Sequence, residues 1–129
     1  MKEDETNKLV SKIVNALFHC HSKGVIHRDL KNENIMIDKN EPILIDFGFS
    51  KFYDGEKLKD FCGTPRYMSP EILSKQSFDG FKSDCWALGI IIFYIASGKF
   101  PFFGIDEKSL YKSIKTLDLP QDYSKNIEI

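Results

Sequence analysis

His27-Arg28-Asp29-Leu30-Lys31-Asn32-Glu33-Asn34 runs into two short β-branched segments and then into Asp46-Phe47-Gly48. Asp29, Asn34 and Asp46 offer hard oxygens, as metal ligands or as proton acceptors. Mg²⁺ takes such oxygens, usually one or two carboxylates beside substrate phosphates. Lys31 sets a point positive charge two residues from Asp29. A carboxylate that can accept a hydroxyl proton, a cation and two metal-binding oxygens suit phosphoryl transfer, in which a protein chiefly positions groups and neutralises charge. Alone, Asp-Phe-Gly is a plain turn and His-Arg-Asp means nothing. The two in this order, on either side of a hairpin, carry the signal.

Between the motifs, Ile35-Met36-Ile37 and Ile43-Leu44-Ile45 flank the turn-rich Asp38-Lys39-Asn40-Glu41-Pro42, which predicts a small hairpin. Upstream, Val25-Ile26 is an apolar step suited to a single bridge. Residues 4–22 carry Leu9, Val10, Ile13, Val14, Leu17 and Cys20 at the spacing of one helical stripe. Glu3, Asp4 and Glu5 stand at the dipole-favoured start of that helix, and Lys23-Gly24 at its end. Downstream, residues 47–70 show no sustained period and read as a long loop, a feature that usually serves function. The uniformly apolar run from Trp86 to Ala96 predicts a buried helix over 84–96, capped by Ser83 and ended by Gly98. Phe100-Pro101-Phe102-Phe103-Gly104 is an aromatic turn, and Leu110, Ile114 and Leu117 place a last short helix within 106–117. The expected fold class is mainly α with a small β-hairpin.

The 129 residues hold 18 basic and 19 acidic side chains, a net charge of −1, and 42% hydrophobic residues. That is the length of one domain with an ordinary apolar share. The basic excess of a nucleic-acid or membrane-surface binder is missing, so neither partner is expected. Cys20, Cys62 and Cys85 make neither a disulfide framework nor a metal knuckle, and Cys62 and Cys85 read as packed thiols. His19 and His21 fall on different faces of the first helix with no second ligand pair nearby, which disfavours a metal site. The acidic start lacks the apolar core of a signal peptide, and the longest apolar run is short of the roughly 20 residues a membrane helix needs. An intracellular, cytoplasmic location is expected.

The His-Arg-Asp-Leu-x-x-x-Asn and Asp-Phe-Gly motifs resemble the protein-kinase signature set. The stretch from Cys62 to Glu71 resembles the Gly-Thr-Pro-x-Tyr and Ala-Pro-Glu end of a kinase activation segment, and Asp84-x-Trp86-x-x-Gly89 the start of the family's central hydrophobic helix. From about residue 4 to about residue 119 the chain is similar to the large lobe of a eukaryotic-type protein kinase. The resemblance implies ATP and Mg²⁺ as cofactors, with Lys31, Glu33, Asn34 and Asp46 on the cofactor side and Asn34 and Asp46 as the metal ligands. It implies that Asp29 orients the acceptor hydroxyl and takes its proton, that Lys31 meets the γ-phosphate, and that Thr64 packs beside both. Glu33 is also a candidate contact for a basic substrate residue, or a plain solvated carboxylate. Arg28 would face the activation loop, and Asp84 would tie the catalytic loop to the core helix. Lys31 and Gly63-Thr64 point to a Ser/Thr hydroxyl on a protein substrate, with a regulatory protein as a further partner. Asp46–Lys51 and Phe61–Pro65 are similar to the calcium/calmodulin-dependent and AMP-activated group or its cyclic-nucleotide-dependent cousins.

Several positions depart from the family pattern. Asp60 stands where many relatives carry a phosphorylated Thr. A phosphate adds about −1.5 to −2 charge, whereas Asp60 adds a single negative charge; its expected partner is Arg28, and the plain alternative is a surface charge. Asn32 replaces a usual Pro, and Ser69 replaces Ala before Pro70-Glu71. Glu71 normally pairs with a later Arg, but Arg28 and Arg66 are the only arginines, so Glu71 is expected to lack that partner. None of the eight glycines builds a G-x-G-x-x-G, and no Val-Ala-x-Lys strand precedes residue 4. Residues 1–129 are therefore expected to be a partial kinase domain, truncated at both ends and without the small lobe that covers ATP. An all-round apolar helix with little to cover it would leave such a chain sticky. Three readings stay open: a Ser/Thr kinase for which this chain supplies the catalytic and Mg²⁺-binding residues, a non-catalytic lobe that binds substrates or a regulator, and a fragment with no role of its own.

Overall fold

The stripe of Leu9, Ile13 and Leu17 folds as helix α1 (Glu3–Ser22), which buries Ile13 and Leu17. The computed structural model describes residues 2–119. The acidic first turn of α1 is tied back by Glu5, whose carboxylate accepts the Lys2 N–H at 3.2 Å. Gly24, at φ +73°, turns the chain out of the helix in the left-handed region that glycine tolerates. Strand β1 (Val25–Ile26) follows, then β2 (Ile35–Asp38), β3 (Glu41–Leu44) and β4 (Lys51–Phe52). They form two antiparallel two-stranded sheets, β1 with β4 and β2 with β3.

The expected hairpin is present, with Ile35 opposite Leu44 and Ile37 opposite Pro42. Its turn is tighter than the five residues expected. Lys39 and Asn40, at φ +49° and +64°, make a two-residue turn of the kind that matches strand twist. Lys12 of α1 clamps that turn by donating to the Asn40 carbonyl at 3.1 Å and pairing with Glu41.

Other boundaries differ from expectation. Val25-Ile26 is a paired strand rather than a single bridge, because Val25 faces Phe52 and Ile26 faces Lys51. Residues 47–70 are accordingly not one open loop. They contain β4, a bridge between Leu58 and Phe78, and a 3₁₀ turn at Pro65–Tyr67, and they run into the short helix α2 (Pro70–Leu73). Elements of two to four residues are too short to show a period, so periodicity could not reveal them. Helix α3 spans Gly80–Ser97, four residues earlier than expected, since the cap is Asp79 rather than Ser83. The Asp79 carboxylate accepts the Lys82 N–H at 3.0 Å. Gly98 ends α3 at φ +73°, as its position predicts. Helix α4 (Glu107–Thr116) starts on Asp106, which accepts the Ser109 N–H at 2.8 Å.

One core unites the helices. Leu88 and Ile91 of α3 pack with Ile13 and Leu17 of α1, Leu30, Ile72 of α2 and Ile114 of α4. Each such buried aliphatic side chain contributes about 1.5–3 kcal/mol. The apolar helix α3 is incompletely covered, as the sequence leads one to expect. Cys85, Gly89 and Ala96 form an exposed stripe along it. Cys85 is thus an exposed thiol rather than a packed one. Large exposed apolar groups lie elsewhere, at Phe18, Phe52 (82%), Phe103 and Ile105 (93%). Among the described residues no helix is long and apolar enough to cross a membrane. We expect residues 1–129 expressed alone to bind an apolar dye and to elute above monomer mass on gel filtration. A dye-silent monomer with a cooperative melt would contradict this.

Candidate active site

The site is built outward from Asp84, in the early turns of α3 and only 2% exposed. A buried carboxylate needs donors, and Asp84 has three. Its Oδ2 accepts the His27 N–H at 2.8 Å and faces His21 Nε2, also at 2.8 Å. Its Oδ1 accepts the Arg28 N–H at 3.0 Å. These bonds fasten the 27–28 backbone to the core, and Arg28 sits there at φ +68°. A non-glycine in that region costs of the order of 1–3 kcal/mol and persists only when its surroundings enforce it.

The buried His27 ring links two loops. Its Nδ1 accepts the Asp29 N–H at 3.2 Å, so the proton is on Nε2, which donates to the Ile45 carbonyl at 2.9 Å. Its face meets the Phe47 ring at 4.8 Å. The catalytic-loop candidate and the Asp-Phe-Gly turn are thereby held against each other.

Asp29 is buried and faces Thr64 and Lys31. The Thr64 hydroxyl donates to Asp29 Oδ1 at 2.9 Å and accepts from Lys31 Nζ at 3.0 Å. Lys31 Nζ also lies 3.6 Å from Asp29 Oδ2. Thr64 arrives there because Gly63 passes close to the catalytic loop. A Cβ on Gly63 would stand 2.8 Å from the Arg28 carbonyl, and its φ is +108°. Asn34 closes a 3₁₀ turn (Asn32–Asn34) and donates from Nδ2 to the Asp29 carbonyl at 2.9 Å. The Ile45 N–H donates to the Asn34 carbonyl at 2.9 Å, which continues the β2–β3 register and brings the following residue, Asp46, beside Asn34 in the fold. Asp46 is exposed, at φ +57°, and its Oδ1 accepts the Gly48 N–H at 3.3 Å.

Asp29, Lys31, Thr64 and Asn34 are therefore gathered along one continuous set of bonds, and Asp46 directly follows the residue bonded to Asn34. Arg28 and Asp60 are joined to it, with Nη1 donating to Asp60 Oδ2 at 3.0 Å. Glu33 is not. It is exposed and lines a groove with Asn32, Arg66, Tyr94 and Phe100, and its carboxylate has no hydrogen bond or ion pair among the described residues. Glu71 is exposed on α2 and has no ion pair among the described residues. Arg66 instead lies over the Phe100 ring at 4.3 Å. Burial pushes the Cys62 thiol above its ordinary range against the opposing pull of Arg28, so this neighbour of the site stays a thiol at neutral pH. Sequence reasoning gives His27 a place in the motif but no partner, and leaves His21 only a disfavoured metal role; the partner of His21 is a carboxylate on another helix.

The donor set fits a hard cation that keeps most of its ligands on a nucleotide. The Asn34 amide nitrogen is engaged by Asp29, which leaves its side-chain oxygen, and Asp46 has Oδ2 left over. Two protein oxygens of this kind match Mg²⁺ held largely by phosphates. Among the described residues no three His, Cys, Asp or Glu side chains cluster as a protein-only metal cage would require.

A family model described as the protein kinase domain matches residues 1–127. The chain belongs to the protein kinase family. It is 43% identical, over 92% of its length, to CBL-interacting serine/threonine-protein kinase 24 of Arabidopsis thaliana, covering 27% of that protein. It is 44% identical over 90% of its length to NUAK family SNF1-like kinase 1 of Homo sapiens, covering 18% of it. A third relative, CBL-interacting protein kinase 5 of Oryza sativa subsp. japonica, is 38% identical over 98% of the chain, which covers 29% of that kinase. The chain thus spans less than a third of these relatives. By name these relatives are CBL-interacting and SNF1-like kinases, one of them a serine/threonine-protein kinase.

Within this kinase site the approach of Gly63 to Arg28 is testable. Gly63→Ala would strain φ and press a methyl group on a backbone carbonyl, so we expect a loss of about 1–3 kcal/mol in urea unfolding of the full-length protein. An unchanged midpoint would show that the two loops do not meet this closely.

Proposed function

We propose that this chain forms the large lobe of an ATP-dependent protein kinase and supplies the residues that transfer the γ-phosphate to a protein Ser/Thr hydroxyl. The observation that carries the reading is the Lys31–Thr64–Asp29 relay, bonded through Asn34 to the strand pair that presents Asp46. With Oδ1 engaged by Thr64, Asp29 has Oδ2 to accept the proton of an incoming hydroxyl. Lys31 sits 3.6 Å from that oxygen, where its charge steadies the carboxylate and is available to the transferred phosphate. Thr64 fixes both side chains in one geometry, which is most of what this reaction asks of a protein. Asn34 and Asp46 would hold Mg²⁺. Mg·ATP, when bound, supplies the phosphoryl group and offsets the charge upon it. Glu33, on the groove with Tyr94 and Phe100, would meet a basic substrate residue, a reading its exposed carboxylate supports. A regulatory protein and a cytoplasmic location belong to the same proposal.

In the full-length protein, Asp29→Asn should lower kcat for a Ser/Thr peptide by about 10²–10⁴-fold while calorimetric Mg·ATP binding stays near wild type. Asp46→Asn should remove Mg·ATP binding itself. Turnover in both variants at the wild-type rate would overturn the assignment. Peptide binding by a wild-type protein that never turns over would instead make the chain a non-catalytic docking module.

A further inference from the structure

Between Asp46 and Thr64 the chain crosses the front of the site, and the Arg28 guanidinium grips both ends of that segment. Arg28 Nε donates to the Phe49 carbonyl at 2.6 Å, and Nη1 donates to Asp60 Oδ2 at 3.0 Å. Arg28 cannot drift, because Asp84 holds its N–H and its backbone is locked at φ +68°. Its side chain is only 16% exposed, so the charge is largely withdrawn from water and needs a counter-charge nearby. Among the described residues, the carboxylate that makes an ion pair with it is Asp60. The hydroxyl residues between Phe47 and Gly63 are Ser50 and Tyr53. The Ser50 hydroxyl donates to the Phe47 carbonyl at 2.6 Å, and Tyr53 is buried. Activation loops are commonly ordered by phosphorylation, through a new pair between an Arg and the added phosphate. Here the guanidinium already holds a carboxylate encoded in the chain.

We infer that Asp60 is a permanent latch, a positioning residue that orders segment 49–63 on the catalytic loop through Arg28 without phosphorylation. Its effect on turnover rests on the kinase reading; its effect on segment order does not. The latch is modest by construction, since Asp60 is itself 63% exposed.

The test uses the full-length protein and two readouts, hydrogen–deuterium exchange of residues 49–63 and phosphoryl transfer to a Ser/Thr peptide. Phosphatase treatment of the wild type should change neither. Asp60→Asn should raise exchange in the segment, and lower kcat, by about two- to fivefold, the scale of an exposed ion pair. The KM for Mg·ATP should hold, and Asp60→Glu should recover most of both readouts. Unchanged exchange in Asp60→Asn, or a segment that loosens in the wild type after phosphatase, would overturn the latch. Should Asp60→Asn not fold, the phosphatase arm decides alone. A wild type that never turns over, but whose segment still loosens in Asp60→Asn, supports the latch and overturns the kinase reading.

Discussion

The buried Asp84 carboxylate is the constraint on which the site depends. Nearly sealed from water, it is stable there because the His21 ring and the His27 and Arg28 N–H groups all meet it. Those donors belong to the last turn of α1 and to the loop after β1, so one side chain of α3 fastens two other parts of the chain. The core sets where α3 lies, through Leu88 and Ile91 against Ile13 and Leu17. Asp84 then converts that packing into the position of a backbone turn. The order of causes runs from apolar burial, to a satisfied charge, to the placement of Asp29.

Part of the backbone strain falls within the candidate site. Arg28, Asp46 and Gly63 all lie at positive φ, at +68°, +57° and +108°. Two of the three are not glycine, so the surrounding bonds must hold them there. In return each turn aims a functional group. Arg28 reverses the chain so that Asp29 faces Thr64, Asp46 presents a carboxylate outside the β-hairpin, and Gly63 lets the next residue reach the catalytic loop. The segment between Asp46 and Thr64 is otherwise held by short elements, β4 on β1 and the Leu58–Phe78 bridge. A segment with so few anchors is one whose order a single ion pair can shift.

Much of the scaffold was legible in local sequence. Helices α1 and α4 announce their spacing, the body of α3 its apolar run, and the Ile35–Leu44 hairpin its β-branched segments about a turn. The misses share a cause. Helix α3 begins at Gly80 because Asp79 caps it, a single side-chain bond ahead of any apolar run. Strand β4 and helix α2 are shorter than one readable repeat. Cys85 stands at the head of an apolar run, yet it faces outward, because which stripe of a uniformly apolar helix is covered depends on what packs there. The site shows the same division. Asp29, Lys31, Asn34 and Asp46 are candidates on motif grounds alone, while His21 could be understood only once its partner was known.

What the sequence by itself determined is the identity and order of the chemistry-bearing residues and the family they mark, because motif spacing is covalent and survives without a fold. What only the tertiary structure decided is which of them meet. Lys31 and Thr64 are 33 residues apart, Arg28 and Asp60 are 32 apart, and His21 and Asp84 are 63 apart. No local propensity joins such pairs. They come together because the apolar faces of α1 and α3 pack into one core, and because a charge that packing buries must find its donors wherever the chain can bring them.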